Sequence, residues 1–175
     1  AAVIQPQIDA LIAAGANKII LTSHLQQISL EKELAGLLDG VDIIIAGGSN
    51  TLQADANDRL RDGDEAAEGY PFLTVDANGN PVAIVSTDGE YSYLGRLVVE
   101  FDDNGVLVAS SIDADVSGTF ATDDQGVLDV TGAANLQEAL DSSAKASIVQ
   151  DLTDAVQVIV DEADAIAFGN HDVFL

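Results

Sequence analysis

Two runs of consecutive apolar, mostly β-branched residues, Lys18-Ile-Ile-Leu-Thr22 and Asp42-Ile-Ile-Ile-Ala46, dominate the first third of the chain. Runs without polar alternation belong to strands covered on both faces, as in parallel sheets. Between them, Ser29 is placed to cap a helix that carries Leu30, Leu34, Leu37 and Leu38 on one stripe and stops near Gly40. A helical crossover makes the strands parallel, so the stretch predicts a β-α-β unit with both carboxyl ends on one edge of a sheet. Ligands of open α/β sheets gather at that edge, and His24 and Asn50 lie just beyond the two strand ends.

Around this unit the pattern changes period. Pro6, Ile8, Leu11 and Ile12, with Gly15 beyond, predict a short opening helix. Residues Leu52 to Gly69, rich in Asp and Glu, read as a solvated polar loop before a strand at Phe72 to Val75; their spacing does not match an EF-hand loop. Ala77-Asn-Gly-Asn80 and Asp102-Asp-Asn-Gly105 have hairpin-turn composition, and Tyr93 to Phe101 alternates as one strand with two different faces, which together predict an antiparallel meander. Residues Asp113 to Gly132 read as irregular. From Leu136 to Ile166 apolar residues recur every three or four positions, the pattern of a long amphipathic helix or a helical pair opened by Asn135 with Glu138 three residues later.

Charge and composition narrow the classes of function. Thirty acidic against six basic residues give a formal net charge of -24, a field that repels nucleic acid and anionic membranes and attracts cations. The acidic residues are dispersed rather than blocked into a tail, as on a solvated surface suited to saline or marine surroundings. With no cysteine there are no disulfides and no thiolate metal sites. No membrane-length apolar run is present, so membrane insertion is not expected. Gly47 and Gly48 after a strand suggest a phosphate cradle, yet no G-K-[ST] or G-x-G-x-x-G follows. Ser23 lacks a G-x-S-x-G elbow and is no nucleophile candidate.

The residues from Ala10 to His24, those from Leu34 to Thr51 ending in Gly-Gly48-Ser-Asn50, and the Tyr93-Leu-Gly-Arg-Leu97 pattern resemble the calcineurin-like metallophosphoesterases, in the secreted 5'-nucleotidase and alkaline-phosphatase-like branch. The resemblance implies the C-terminal half of an α-β-β-α sandwich, an α/β (α+β) fold with the parallel unit, antiparallel hairpins and a C-terminal helical linker. It divides the chain into residues 1–130, the half-domain, and 131–175, a linker toward a following domain. His24 matches the family's metal-binding His, and Asn50 the second ligand of its G-H-x-H or G-H-x-Q motif, where an amide oxygen can still reach a metal. Gly48 stands where the motif has its first His. The family's earlier D-x-H, G-D and G-N-H-[DE] motifs are not found before His24, so the chain is expected to begin within its catalytic domain.

The implied parent reaction is hydrolysis of phosphomonoesters, including nucleotides, by a water activated between divalent ions (Zn, Mn, Fe or Ca). The fragment alone is expected to be inactive, and to pair with the missing N-terminal half or with another copy of itself. An extracellular or periplasmic location is expected. Gly169-Asn170-His171-Asp172 spells the family's G-N-H-D out of its usual order, which makes Asn170 and His171 secondary metal candidates. The competing class is a non-catalytic acidic extracellular module that keeps the fold without the activity.

Overall fold

The computed structural model describes residues 1–165, so Gly169–Asp172, with Asn170 and His171, lies outside the described residues. The chain forms two compact units, Ala1–Gly126 and Val127–Leu175. In the first, α1 (Gln5–Ala13), β1 (Ile20–Ser23), α2 (Ile28–Ala35), β2 (Ile43–Ala46), β3 (Phe72–Val75) and β4 (Pro81–Val85) build a four-stranded sheet with its helices. Strand order is β1-β2-β4-β3. β1, β2 and β4 run parallel, with Ser23 opposite Ala46 and Ile43 opposite Ala83, and β3 is antiparallel at the edge. The remaining strands β5 (Tyr93–Arg96), β6 (Glu100–Phe101), β7 (Leu107–Val108) and β8 (Gly118–Ala121) pair antiparallel as β5 with β8 and β6 with β7. The expected mixed fold of a parallel β-α-β unit followed by antiparallel hairpins is therefore present.

Its core lies between α1 and α2 and one face of the sheet, where Ile8, Leu34, Leu38, Val41, Ile44, Val82 and Ile84 are buried together. The α2 stripe differs from the one expected. Leu34 and Leu38 point inward, but Leu30 and Leu37 are exposed, and the inward stripe runs Ile28, Glu31, Leu34, Ala35 and Leu38. Ser29 is no cap either. The helix starts at Ile28, two residues earlier, behind Gln27, whose side chain makes no capping bond, and it ends at Ala35 rather than near Gly40.

The other sheet face is covered only in part. Leu97, Val99, Phe101 and Leu107 pack over Ile43 and Ala83. Ile20 and Ile45, beside them, remain 58% and 46% exposed, along a groove of about 340 Å³ that Tyr70, Val85 and Leu97 also line. The expectation that both strands are covered on both faces thus fails within the described residues, because the hairpins reach across only half of that face.

Two further expectations are corrected by side chains that act on the backbone. Tyr93 to Phe101 is two strands rather than one, because Ser117 takes the place of a ladder partner: the Val98 N–H donates to its Oγ at 2.9 Å, and that hydroxyl donates to the Val98 carbonyl at 3.2 Å. Pairing of β5 with β8 rather than with its neighbour replaces the simple meander. Nor is Asp113 to Gly132 irregular throughout, since it contains β8 and the whole of α3 (Asp124–Thr131). In the second unit, α4 (Leu136–Asp141) and α5 (Ala144–Asp164) form the expected helical pair. Asn135 Oδ1 accepts from the Glu138 N–H at 3.0 Å, and Glu138 reaches back to the Ala134 N–H at 3.1 Å, a capping box displaced by one residue. Among the described residues no helix is long and apolar enough to cross a membrane.

Candidate metal-binding edge

Three loops leave the carboxyl ends of the parallel strands: Ser23 to Gln27 after β1, Gly47 to Thr51 after β2, and Ser86 to Ser92 after β4. Every described non-glycine residue with positive φ sits in one of them: Gln26 at 65°, Asn50 at 50°, and Glu90 and Tyr91 at 57°. Such a residue costs about 1–3 kcal/mol, less for Asn, and persists only where its surroundings hold it. Their concentration on one edge makes that edge the candidate site.

His24 and Asn50 are both exposed on this edge. The imidazole of His24 lies directly over the glycine pair: a Cβ on Gly48 would sit 2.8 Å from Nε2, and one on Gly47 would sit 3.2 Å from Nδ1 and 2.9 Å from the Ser23 carbonyl. Gly48 also has φ +81°, a conformation that strains other residues, and a side chain there would have to displace the exposed His24 ring. The Asn50 amide lies against Gly89 of the third loop, where a Cβ would meet its Cγ, Oδ1 and Nδ2 at 3.0 Å each. His24 thus lies against the loop after β2, and Asn50 against the loop after β4.

Side chains behind this edge hold the loops in register. Glu31 of α2 is fully buried, and its Oε1 accepts from Ser23 Oγ at 3.0 Å and from the Leu25 N–H at 3.2 Å, on either side of His24. Its Oε2 is the one buried side-chain oxygen without a partner among the described residues. Leaving such a group unpaired costs about 1–3 kcal/mol. The neighbouring Lys32 lies 3.9 Å from the Phe72 ring centroid and pairs with Glu68. Glu68 accepts from Gln53 Nε2 at 3.0 Å, and Gln53 Oε1 accepts from the Ser86 N–H at 2.8 Å, where the third loop begins. Far from being a merely solvated loop, Leu52 to Gly69 thus reaches inward through the fully buried Gln53.

Sequence reasoning missed Glu31 and the third loop. The signal for Glu31 was a charged residue three positions before Leu34 on the stripe that faces the core. The third loop has no comparable signal, because its place at this edge follows from β4 pairing with β2 across a long connection.

As a ligand set, His24 and Asn50 supply one imidazole nitrogen and one amide oxygen, which suits Zn²⁺, Mn²⁺ or Fe but leaves most coordination positions to others. Among the described residues no group of three or more His, Asp or Glu could hold a metal. The residues present therefore fit a contribution to a metal site and not a whole one.

The fold is similar to that of solved nucleotidases. A 5'-nucleotidase precursor from Thermus thermophilus superposes with TM-score 0.59 at 24% identity, over 83% of this chain and 26% of that one. The NAD nucleotidase of Haemophilus influenzae does so with TM-score 0.58 at 25% identity, over 71% and 25%. The chain's homologues in sequence are 5'-nucleotidases: that of Mus musculus is 36% identical over 107 residues, 61% of this chain and 18% of that protein. The snake venom 5'-nucleotidase of Naja atra is 32% identical over 108 residues, 62% of this chain and 20% of that protein. The chain thus spans about a fifth of the length of these relatives. No protein-family model matches it.

Proposed function

We propose that this chain is part of a secreted, metal-dependent phosphomonoesterase acting on nucleotides, in which His24 and Asn50 are metal ligands. Homology to 5'-nucleotidases supports the reaction class, and the observation that carries the site is the exposed His24 ring seated on Gly47 and Gly48 at the carboxyl edge. When bound, divalent ions would activate a water and neutralise the phosphoryl oxygens. The chain's own part is to hold one imidazole and one amide oxygen at fixed places on a floor bare of side chains, against which a phosphate can approach closely. Two neutral donors do not complete that site, so the chain by itself is inactive. Residues 1–130 are its share of the catalytic domain, and 131–175 link toward a further domain. The half-open sheet face at Ile20 and Ile45 supports a companion, the rest of the catalytic domain or a second copy, seated on the groove. A location outside the cytoplasm accords with the acidic surface, which also suits saline surroundings.

The test is turnover of a chromogenic phosphomonoester and of a 5'-nucleotide by the purified chain with added Zn²⁺, Mn²⁺, Fe or Ca²⁺, alone and then in the longer polypeptide that contains it. Negligible turnover by the chain alone and metal-dependent turnover by the longer protein, abolished by His24→Ala, are expected. Robust turnover by the chain alone would overturn the partial-site reading. If the longer protein lacks turnover yet folds, the non-catalytic acidic module is the better description, and the crowding of a side chain at Gly48 against His24 is the observation that favours it.

A further inference from the structure

Both chain neighbours of His24 are anchored to other elements of the fold. On the strand side, the Gly47 N–H donates to the Ser23 carbonyl at 2.9 Å, joining the segment before His24 to the glycine floor. On the loop side, one carboxylate oxygen of Glu31 takes both the Ser23 hydroxyl at 3.0 Å and the Leu25 N–H at 3.2 Å. One residue further on, Gln26 turns left-handed, so Leu25 is the last point at which the segment is tied before the chain reverses. Glu31 does not touch the exposed edge. It is fully buried on the inward stripe of α2 among Leu34, Ala35 and Leu38.

As a device for stability this placement is poor. A carboxyl on an apolar stripe, with one oxygen partnered twice and the other not at all, is a site where a well-packed apolar side chain of similar size commonly serves the fold as well or better. What an apolar residue cannot do is accept from both sides of His24. We propose that Glu31 is the positioning residue for His24: it holds Ser23 to Leu25 so that the imidazole stays seated on Gly47 and Gly48 with its edge toward solvent. The consequence for metal binding rests on the ligand role proposed for His24. The geometric role does not.

Isothermal titration of the chain with Zn²⁺, thermal melting, and NMR of the Leu25 amide exchange and His24 ring signals test this on Glu31→Leu, Glu31→Gln and His24→Ala. Glu31→Leu is expected to keep or raise the melting temperature while weakening Zn²⁺ affinity about 10–100-fold, the loss typical when a residue orienting a ligand is removed. Its Leu25 amide should exchange at least about tenfold faster. Glu31→Gln keeps an acceptor oxygen in place and should restore both readouts, which a role in packing or in charge alone would not predict. Unchanged affinity, ring signals and Leu25 exchange in Glu31→Leu would overturn the proposal, as would a Glu31→Gln variant no better than Glu31→Leu. If Glu31→Leu fails to fold, Glu31→Met, which also lacks the acceptor oxygen, replaces it, and wild-type ring signals and Leu25 exchange in Glu31→Met would overturn the proposal. His24→Ala separates the two readings. Zn²⁺ affinity unchanged by His24→Ala overturns the ligand role, and Glu31 is then decided by Leu25 exchange and the ring signals.

Discussion

Placing a side chain at Gly48 tests the geometry of the edge most directly, and the family resemblance makes it pointed because histidine is expected there. Gly48→Ala adds a single Cβ. Two penalties follow from the structure. The backbone is at φ +81°, where an L-residue loses about 1–2 kcal/mol. The new methyl would also lie 2.8 Å from His24 Nε2 and 2.9 Å from Cδ2, inside contact distance, so the exposed ring must turn aside at a cost of about 0.5–1.5 kcal/mol. Together these give about 1.5–3.5 kcal/mol, against a stability of about 5–15 kcal/mol. For a chain of this size that corresponds to roughly 3–14 °C in melting temperature. A double-mutant cycle by thermal and urea unfolding separates the parts. In a His24→Ala background the ring is gone, so Gly48→Ala should cost only the backbone part, with a coupling of about 0.5–1.5 kcal/mol. Equal costs in the two backgrounds would refute the contact, and no cost in either would refute the left-handed conformation as well. Gly48→His should be worse than Gly48→Ala, so restoring the missing histidine does not restore a site in this chain.

Other outcomes follow from electrostatics. Asp76 is buried, which pushes its carboxyl up, but Asn80 through side chain and backbone, with the N–H groups of Gly40 and Asn78, brings it below its ordinary 3.8. Its folded value being the lower one, the stabilisation is present above about pH 4 and lost as pH falls through the folded value. Acid unfolding of Asp76→Asn should therefore show a shallower fall below pH 4 than wild type, and identical slopes would contradict this. Burial pushes the Tyr70 phenol up to about 12, and burial with the hydrogen bond to Asp64 raises that of Tyr93, so stability should decline as pH rises above about 10 and ultraviolet titration should show both ionising later than an ordinary phenol; three phenols ionising together near 10 in the folded protein would count against it. With a net charge of -24, melting temperature should rise from low to high NaCl as repulsion is screened, whereas a flat or falling trend would argue against a repulsive surface.

The order of elements around the site was legible in the chain because it rests on local signals. Uninterrupted isoleucine runs, a helical stripe between them and the Gly-Gly pair fixed a parallel unit and put His24 and Asn50 at one edge before any packing was known. The turns at Asn78 to Asn80 and Asp102 to Gly105 were equally plain, since their composition alone favours reversal. Tertiary structure decided what depends on partners distant in sequence. Ser117 splits the strand after Tyr93 by bonding Val98, nineteen residues away. Glu31 reads as an ordinary helix surface residue until the Leu34 and Leu38 side of α2 is docked on the sheet, which carries its carboxylate to Ser23 and Leu25. Gly48 reads as a missing ligand until the His24 ring is found over it. Periodicity records which face of an element is apolar, but a hydrogen bond or a crowded Cβ depends on two segments meeting at a definite separation, and that is set only when the sheet has closed.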